Sequence, residues 1–271
     1  MQARARGGAR AQARHRAAGG ALHDAPTRRR FGALAVLELW HEWNSVHSFK
    51  VRVVLAEKEL AWTGRHVALL KFEHLRPEYL RLNPNGVVPT LVHDGRTILE
   101  SSIICQYLDE QFPQPPLLPP DAYGRARALA WLNYFDAVLH PALRAVSFEL
   151  LYRPLLAALP REELERKLAS HPDPARARDY LGRLPENVEE ATRVFAAAVA
   201  RIEQALDAEW LTGAQFGLAD VAIAPFAERL EHLGFSRLWQ PHPKAQDWSE
   251  RLLGRPSVIA ARAPAQFRFS V

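Results

Sequence analysis

The chain has a single cysteine, Cys105, among 271 residues. That excludes an internal disulfide framework and a Cys-x-x-Cys redox pair, and it makes a reducing, cytosolic setting the expected one. No run approaches the ~18–20 apolar residues of a membrane span. Hydrophobic residues nevertheless make up 48%, enough for real cores, so a soluble globular protein is expected. The eleven histidines are scattered without His-x-x-x-His or Cys spacing, and no metal site is expected. A phosphate-binding glycine loop and a Gly-x-Ser-x-Gly elbow are both missing, which removes the nucleotide and hydrolase chemistries those motifs carry.

Acidic residues are scarce at one end. Residues 1–30 hold eight arginines against one acid, Asp24, so this stretch carries +7 and the rest of the chain −2, for a total of +5. The basic balance belongs to the tail and gives no argument for a nucleic-acid surface. The tail has no serine and no apolar stretch of the kind a secretory signal needs. Its Arg-rich composition partly fits an organellar presequence, but without an apolar helical face. Residues 1–33 are read as an unfolded extension, translated from upstream of the natural start. Arginine outnumbers lysine 30 to 5, as a GC-rich coding sequence would produce.

The remainder is patterned. Residues 34–40 (LAVLELW) suit a buried strand, and 46–58 have helical spacing, with apolar residues at 46, 49, 53 and 54. Residues 60–69 read as a strand and 76–82 as a short helix with Pro77 in its first turn. Two β-runs, 89–93 and 96–99, flank Asp94-Gly95, a strong hairpin signal. A helix over 100–111 follows, so the order is β-α-β-α-β-β-α. Five prolines in 113–120 (PQPPLLPP) leave no helix or central strand and predict a stiff linker. Beyond it the pattern is helical only. A stretch over 121–159 is interrupted near Pro141 and Pro154, short charged pieces occupy 160–184, and helices fit 186–209, 218–233 and 244–253.

This arrangement resembles the cytosolic glutathione transferases. The segment NPNGVVPTLVHDGRTILESSIICQYLDEQFP (83–113) is similar to that family's glutathione-site block, VRVVLAEKEL (51–60) to its first helix, and GLADVAIAPFAERL (217–230) to its late-helix capping motif. Gly217 stands where the family usually carries Ser or Thr. KFEH (71–74) and the charged insert at 153–190 resemble the bacterial branch that includes the β-aryl-etherases. The resemblance implies a thioredoxin-like glutathione-binding domain over 34–112, the linker, and an all-helical domain over 121–271 with an electrophile pocket. It also implies glutathione as co-substrate, a hydrophobic electrophile as second substrate, a role in detoxification, and a homodimer, with neither nucleic acid nor membrane as partner.

The resemblance also suggests roles for residues. Ser45 and Ser48, in the loop before the first helix, are the expected pair for activating the thiol, with Ser48 slightly ahead; the alternative for either is an ordinary helix cap. His47 between them reads as exposed or structural. Pro89 is expected to be cis, with Val88 presenting its backbone to the cysteinyl part of glutathione. Glu100 and Ser101 are expected to hold the γ-glutamyl end, or else simply to cap their helix. His74 and Lys71 are candidates for the glycyl carboxylate, the alternative being solvated surface. Cys105 reads as a small buried hydrophobe. With no cysteine at 45–48, a Ser-type enzyme that forms thioethers or cleaves ethers is expected. Trp131, Tyr134, Phe135, His140, Phe148 and Tyr152 would line the pocket or, for most of them, fill the helical core, and Trp210 and Trp239 read as core or interface. A binding or regulatory protein on the same fold is the non-catalytic alternative.

Overall fold

The computed structural model describes residues 36–169, 171–181 and 188–269, so the Arg-rich extension read from the sequence lies outside the described residues. The chain begins with β1 (Leu37–His41), whose alternating burial sets Leu37, Leu39 and His41 inward. Helix α1 (Val46–Glu57) crosses over to β2 (Thr63–His66), which pairs parallel to β1. After α2 (Pro77–Leu82), β3 (Thr90–His93) runs antiparallel to β1 and pairs with β4 (Arg96–Ile98), so the sheet order is β2-β1-β3-β4. Asp94 and Gly95 both take positive φ in the hairpin turn, as an Asp-Gly two-residue connection requires. Helix α3 (Ser101–Gln111) then packs beside α1.

The helical spacing of α1 suggested one apolar face, yet the helix is buried from Ser48 to Leu55. It touches α3, α10 and α12 as well as the first layer's core. Its cations are sealed inside because their bonds are met. Arg52 donates to the carbonyls of Ala261, Glu42 and Trp43 at 2.8–3.2 Å. Lys50 donates to Asp136 Oδ1 (2.8 Å) and Ser102 Oγ (2.9 Å), and so joins α1 and α3 to the helical layer.

The helical layer starts with α4 (Ala122–Tyr134), α5 (His140–Ser147) and α6 (Arg153–Leu156). The interruptions expected at Pro141 and Pro154 are π-turns, Phe135–Leu139 and Phe148–Tyr152, and helical backbone angles continue through both. A proline has no N–H for the i−4 carbonyl, and a wider turn just before it absorbs the mismatch. Then come α7 (Arg161–Leu168), α8 (Pro174–Leu181), α9 (Val188–Ala205), α10 (Leu218–His232), α11 (Pro243–Gly254) and α12 (Pro256–Ala261), the last not foreseen from the sequence. One hydrophobic core runs through sheet, α1, α3 and the helices, with Trp210, Trp239 and Cys105 inside it. Burial pushes the Cys105 thiol up to about 12. Among the described residues no helix is long and apolar enough to cross a membrane.

Two polar fastenings set the start of α10. Lys58 Nζ meets Asp109 Oδ1 at 2.7 Å and the carbonyls of Phe112 and Pro115, also at 2.7 Å. Asp109 in turn accepts the Leu117 and Leu118 amides (2.9 and 3.1 Å), so the Pro-rich segment is tied to α1 and α3. Leu117 then accepts the Leu218 amide at 2.7 Å. A Cβ on Gly217 would stand 2.6 Å from that Leu117 oxygen, which explains glycine at this cap. Asp220 reaches back to the Gly217 amide (3.1 Å) and also accepts the Leu211 amide and the Trp248 indole N–H.

Candidate active site

A cavity of about 430 Å³ opens between the loop before α1, the β3 entrance, the start of α3, and the helical layer, within the size range of small-molecule sites. Ser45 is the N-cap of α1. Half-buried, it lines the cavity, and its hydroxyl accepts the Ser48 amide at 3.2 Å, which leaves the hydroxyl proton unused. Ser48, placed ahead of Ser45 in the sequence reading, is fully buried and does not line the cavity, and among the described residues its Oγ has no hydrogen-bond partner. Being third along the helix from its cap, it points back under the turn and into the core.

Val88 and Pro89 line the cavity, and the bond between them is cis. Tyr79 Oη and Asn83 Nδ2 both donate to the Val87 carbonyl (2.6 and 2.8 Å) and hold this corner in place. Glu100 is exposed on the cavity rim with φ +64° at the N-cap of α3, and Ser101 lies beside it, buried. His47 also lines the cavity, which its sequence context did not suggest. Its Nδ1 is 2.9 Å from Ser101 Oγ, and its ring lies 4.0 Å from that of His140. Burial, then the neighbouring His140 and the Lys50 and Arg176 charges, hold His47 well below the usual histidine range, so the ring is neutral near pH 7.

His74 is 2% exposed and lines the cavity, and among the described residues neither ring nitrogen has a partner. Burial, with His171 and Arg176 nearby, lowers it to about 4. Lys71, paired with His74 in the sequence reading, is exposed and does not line the cavity. The 3-10 turn Glu73–Leu75 carries His74 inward, whereas Lys71 ends the preceding turn just before the left-handed Phe72. Of the six side chains weighed for the pocket, His140, Phe148 and Tyr152 line it. Trp131 and Phe135 are core, with Tyr134 packed against them.

Other lining residues were not singled out from the sequence. His171, Pro172, Asp173 and Arg176, from the segment around the start of α8, reach over the cavity, and Pro172 sits against Gly86. Phe72 and Leu75 pack with Leu164 and Leu168 of α7, which fastens that segment to the sheet layer. Arg144 of α5 and Arg229 of α10 complete the wall. For Arg229 a signal was available: one arginine among the apolar residues of 221–230.

Family models agree with this architecture. Residues 41–116 match the glutathione S-transferase N-terminal domain and 185–251 the glutathione S-transferase C-terminal domain. Glutathione S-transferase GstB of Escherichia coli is 29% identical, over 82% of this chain and 96% of that protein. The maleylacetoacetate isomerase of Pseudomonas aeruginosa is 31% identical, over 73% of this chain and 83% of its own length. LigF of Sphingobium sp. strain SYK-6 is 28% identical over 82% of this chain and 91% of that protein. The crystal structure of LigF, described as a β-etherase, superposes with a TM-score of 0.77 at 26% identity, covering 83% of this chain and 98% of that one. With a thioredoxin-like sheet layer, a helical layer and both family domains in order along it, the chain belongs to the glutathione S-transferase family.

Proposed function

We propose that this protein is a glutathione-dependent transferase that holds the thiol of glutathione as a thiolate and directs it at an electrophile with an apolar body. The observation that carries this reading is Ser45: a cavity-lining serine at a helix N-cap, its hydroxyl already accepting one amide and so left with a proton to donate. Lowering a thiol pKa by about two units takes about 2.7 kcal/mol of differential stabilisation. A hydrogen bond to a charged group contributes about 1.5–3 kcal/mol and a helix N-terminus about 0.3–1 kcal/mol, which together bracket that figure. Ser45 takes the thiol role over Ser48 because, of the two, only Ser45 lines the cavity.

The other contacts follow the cavity's own chemistry. Glu100 supplies a carboxylate for the γ-glutamyl ammonium, and Ser101, at the positive end of α3, faces the γ-glutamyl carboxylate. Val88 offers its backbone to the cysteinyl peptide. His74, neutral and without a partner among the described residues, donates a ring N–H to the glycyl carboxylate, which satisfies a buried polar group. Lys71 takes no part.

Aryl-ether cleavage is the reaction that the likeness to LigF favours. The thiolate carbon–sulfur bond forms as the carbon–oxygen bond breaks, and the aryloxide leaves with the electron pair. The test is ultraviolet difference absorption of glutathione thiolate on the protein between pH 5 and 9, for wild type, Ser45→Ala and Ser48→Ala. A thiolate signal titrating below the free-thiol range, moved up one to two pH units by Ser45→Ala and unmoved by Ser48→Ala, is expected. Binding with an unshifted thiol, or no binding at millimolar glutathione, would instead favour a non-catalytic protein on this fold.

A further inference from the structure

The electrophile side of the cavity is not uniformly apolar. Its wall is built by α5 and α10: Leu143 and Phe148 supply apolar surface, while Ser147 and Arg229 form a polar corner next to Asn44. Arg229 is 5% exposed. One Nη donates to Ser147 Oγ (2.8 Å) and the other to the Asn44 carbonyl (2.7 Å). Both acceptors are neutral, and among the described residues its Nε has no partner. Among the described residues no carboxylate lies within ion-pair distance of this guanidinium. The buried carboxylate on the adjoining loop, Glu42, is turned instead to His66 and to the amides of Asn44 and Leu69.

Tyr152 lines the same corner, and among the described residues its hydroxyl has no hydrogen bond. Burial pushes its pKa upward against the nearby Arg229 charge, so it remains a donor. Its ring stacks on Phe148 (centroids 6.1 Å, planes 16° apart), making an aromatic shelf beside the two donors. Of the other cations here, Lys50 is paired with Asp136 and Arg176 with Asp173. A buried cation without a counter-charge is costly, and a bound anion removes that cost.

We propose that the second substrate is an electrophile with an aromatic or apolar body and a carboxylate, the body lying on Phe148 and the carboxylate received by Arg229 and the Tyr152 hydroxyl. This rests on the glutathione-transferase reading, and it changes the expected partner from a purely hydrophobic electrophile to an amphipathic anion. Arg229 and Tyr152 are then specificity-determining groups. Arg229 also positions the loop that carries Ser45, through the Asn44 carbonyl.

The test uses S-conjugates, which occupy both halves of the cavity whatever the reaction. Calorimetry on the full chain compares S-(4-carboxybenzyl)- and S-(3-carboxybenzyl)glutathione with their methyl esters. The expected result is that at least one acid binds about tenfold or more tighter than its ester, the least that a hydrogen bond to a charged group supplies. Arg229→Met should bring that ratio close to one, Arg229→Lys should keep part of it, and Tyr152→Phe should lower it without touching the Asn44 clamp. A structural role alone would weaken acid and ester equally and leave the ratio unchanged. Esters that bind as well as both acids in wild type overturn the inference and leave the transferase reading intact. If neither acid nor ester binds, and the glutathione thiolate signal is also missing, both readings fall together.

Discussion

Asp109 and Lys58 form an ion pair whose loss has a calculable effect. The side chains are 8% and 0% exposed, so removing one partner leaves a charge in the interior. Breaking such a pair costs about 3–5 kcal/mol. Asp109→Asn keeps an oxygen for one of the Leu117 and Leu118 amides and removes the charge, so about 3 kcal/mol is expected. Asp109→Ala orphans both amides and belongs at about 5 kcal/mol or above, since an unsatisfied buried donor adds about 1–3 kcal/mol. Against a whole-protein stability of about 5–15 kcal/mol, that variant is marginal. Lys58→Met should cost about 3 kcal/mol by leaving Asp109 unpaired. Combined with Asp109→Asn, Lys58→Met removes both charges, so the double variant should be about 2 kcal/mol more stable than the sum of the singles. Urea unfolding followed by tryptophan fluorescence measures all four, with seven tryptophans as reporters. Additivity within about 0.5 kcal/mol would refute the reasoning, because it would mean that the two charges do not depend on each other in the fold.

Other outcomes follow from single features. Capping preference alone makes Gly217→Ser stabilising by a few tenths of a kcal/mol, whereas the approach of Leu117 O to a Cβ position makes it destabilising by about 1–3 kcal/mol; the sign of the shift in urea midpoint decides. Ser45→Gly should keep most of the helix cap but raise the bound thiol's pKa as far as Ser45→Ala does, and a stability loss matching alanine's would contradict this. His41 and His74 are lowered to about 3 and about 4 by burial, so the unfolded chain takes up those protons first. Their contribution is complete above pH 6.5 and lost as pH falls through the window down to those values, about 2 kcal/mol each by pH 5. Asp220, raised to about 6, opposes them, because its contribution is lost as pH rises from 3.8 to 6. Urea midpoints at pH 7.5 and 5.0 should therefore fall on acidification, and an unchanged midpoint would count against the buried neutral histidines. Cys105 should react with a thiol reagent only at the rate of unfolding, and rapid native modification would contradict its burial.

Local signals were enough for the architecture. Alternation, Asp-Gly punctuation and the proline cluster marked the strands, the hairpin and the segment between layers, because those features act within a few residues. They overstated β2, read over ten residues and observed over four, since an exposed edge strand is limited by its single neighbour. Helix α12 went unseen, as six residues between Pro256 and Ala261 give too short a period to detect.

The site divides the same way. Val88, Pro89, Glu100 and Ser101 sit in one stretch of sequence, and all four line the cavity. From sequence Ser48 was ranked slightly ahead of Ser45, yet Ser45 lines the cavity and Ser48 does not. Three residues of helix separate a residue on the cavity from one sealed in the core. His74 and Lys71 were separated likewise, by the left-handed Phe72 between them. His47, His171 and Arg229 reach the cavity from three distant elements, and no local pattern records that meeting. The sequence by itself therefore determined most of the elements, their order and the contiguous stretch that lines one edge of the cavity. Only the tertiary structure decided which side chains face the cavity and where a charge is left uncompensated, because both depend on packing between residues far apart in the chain.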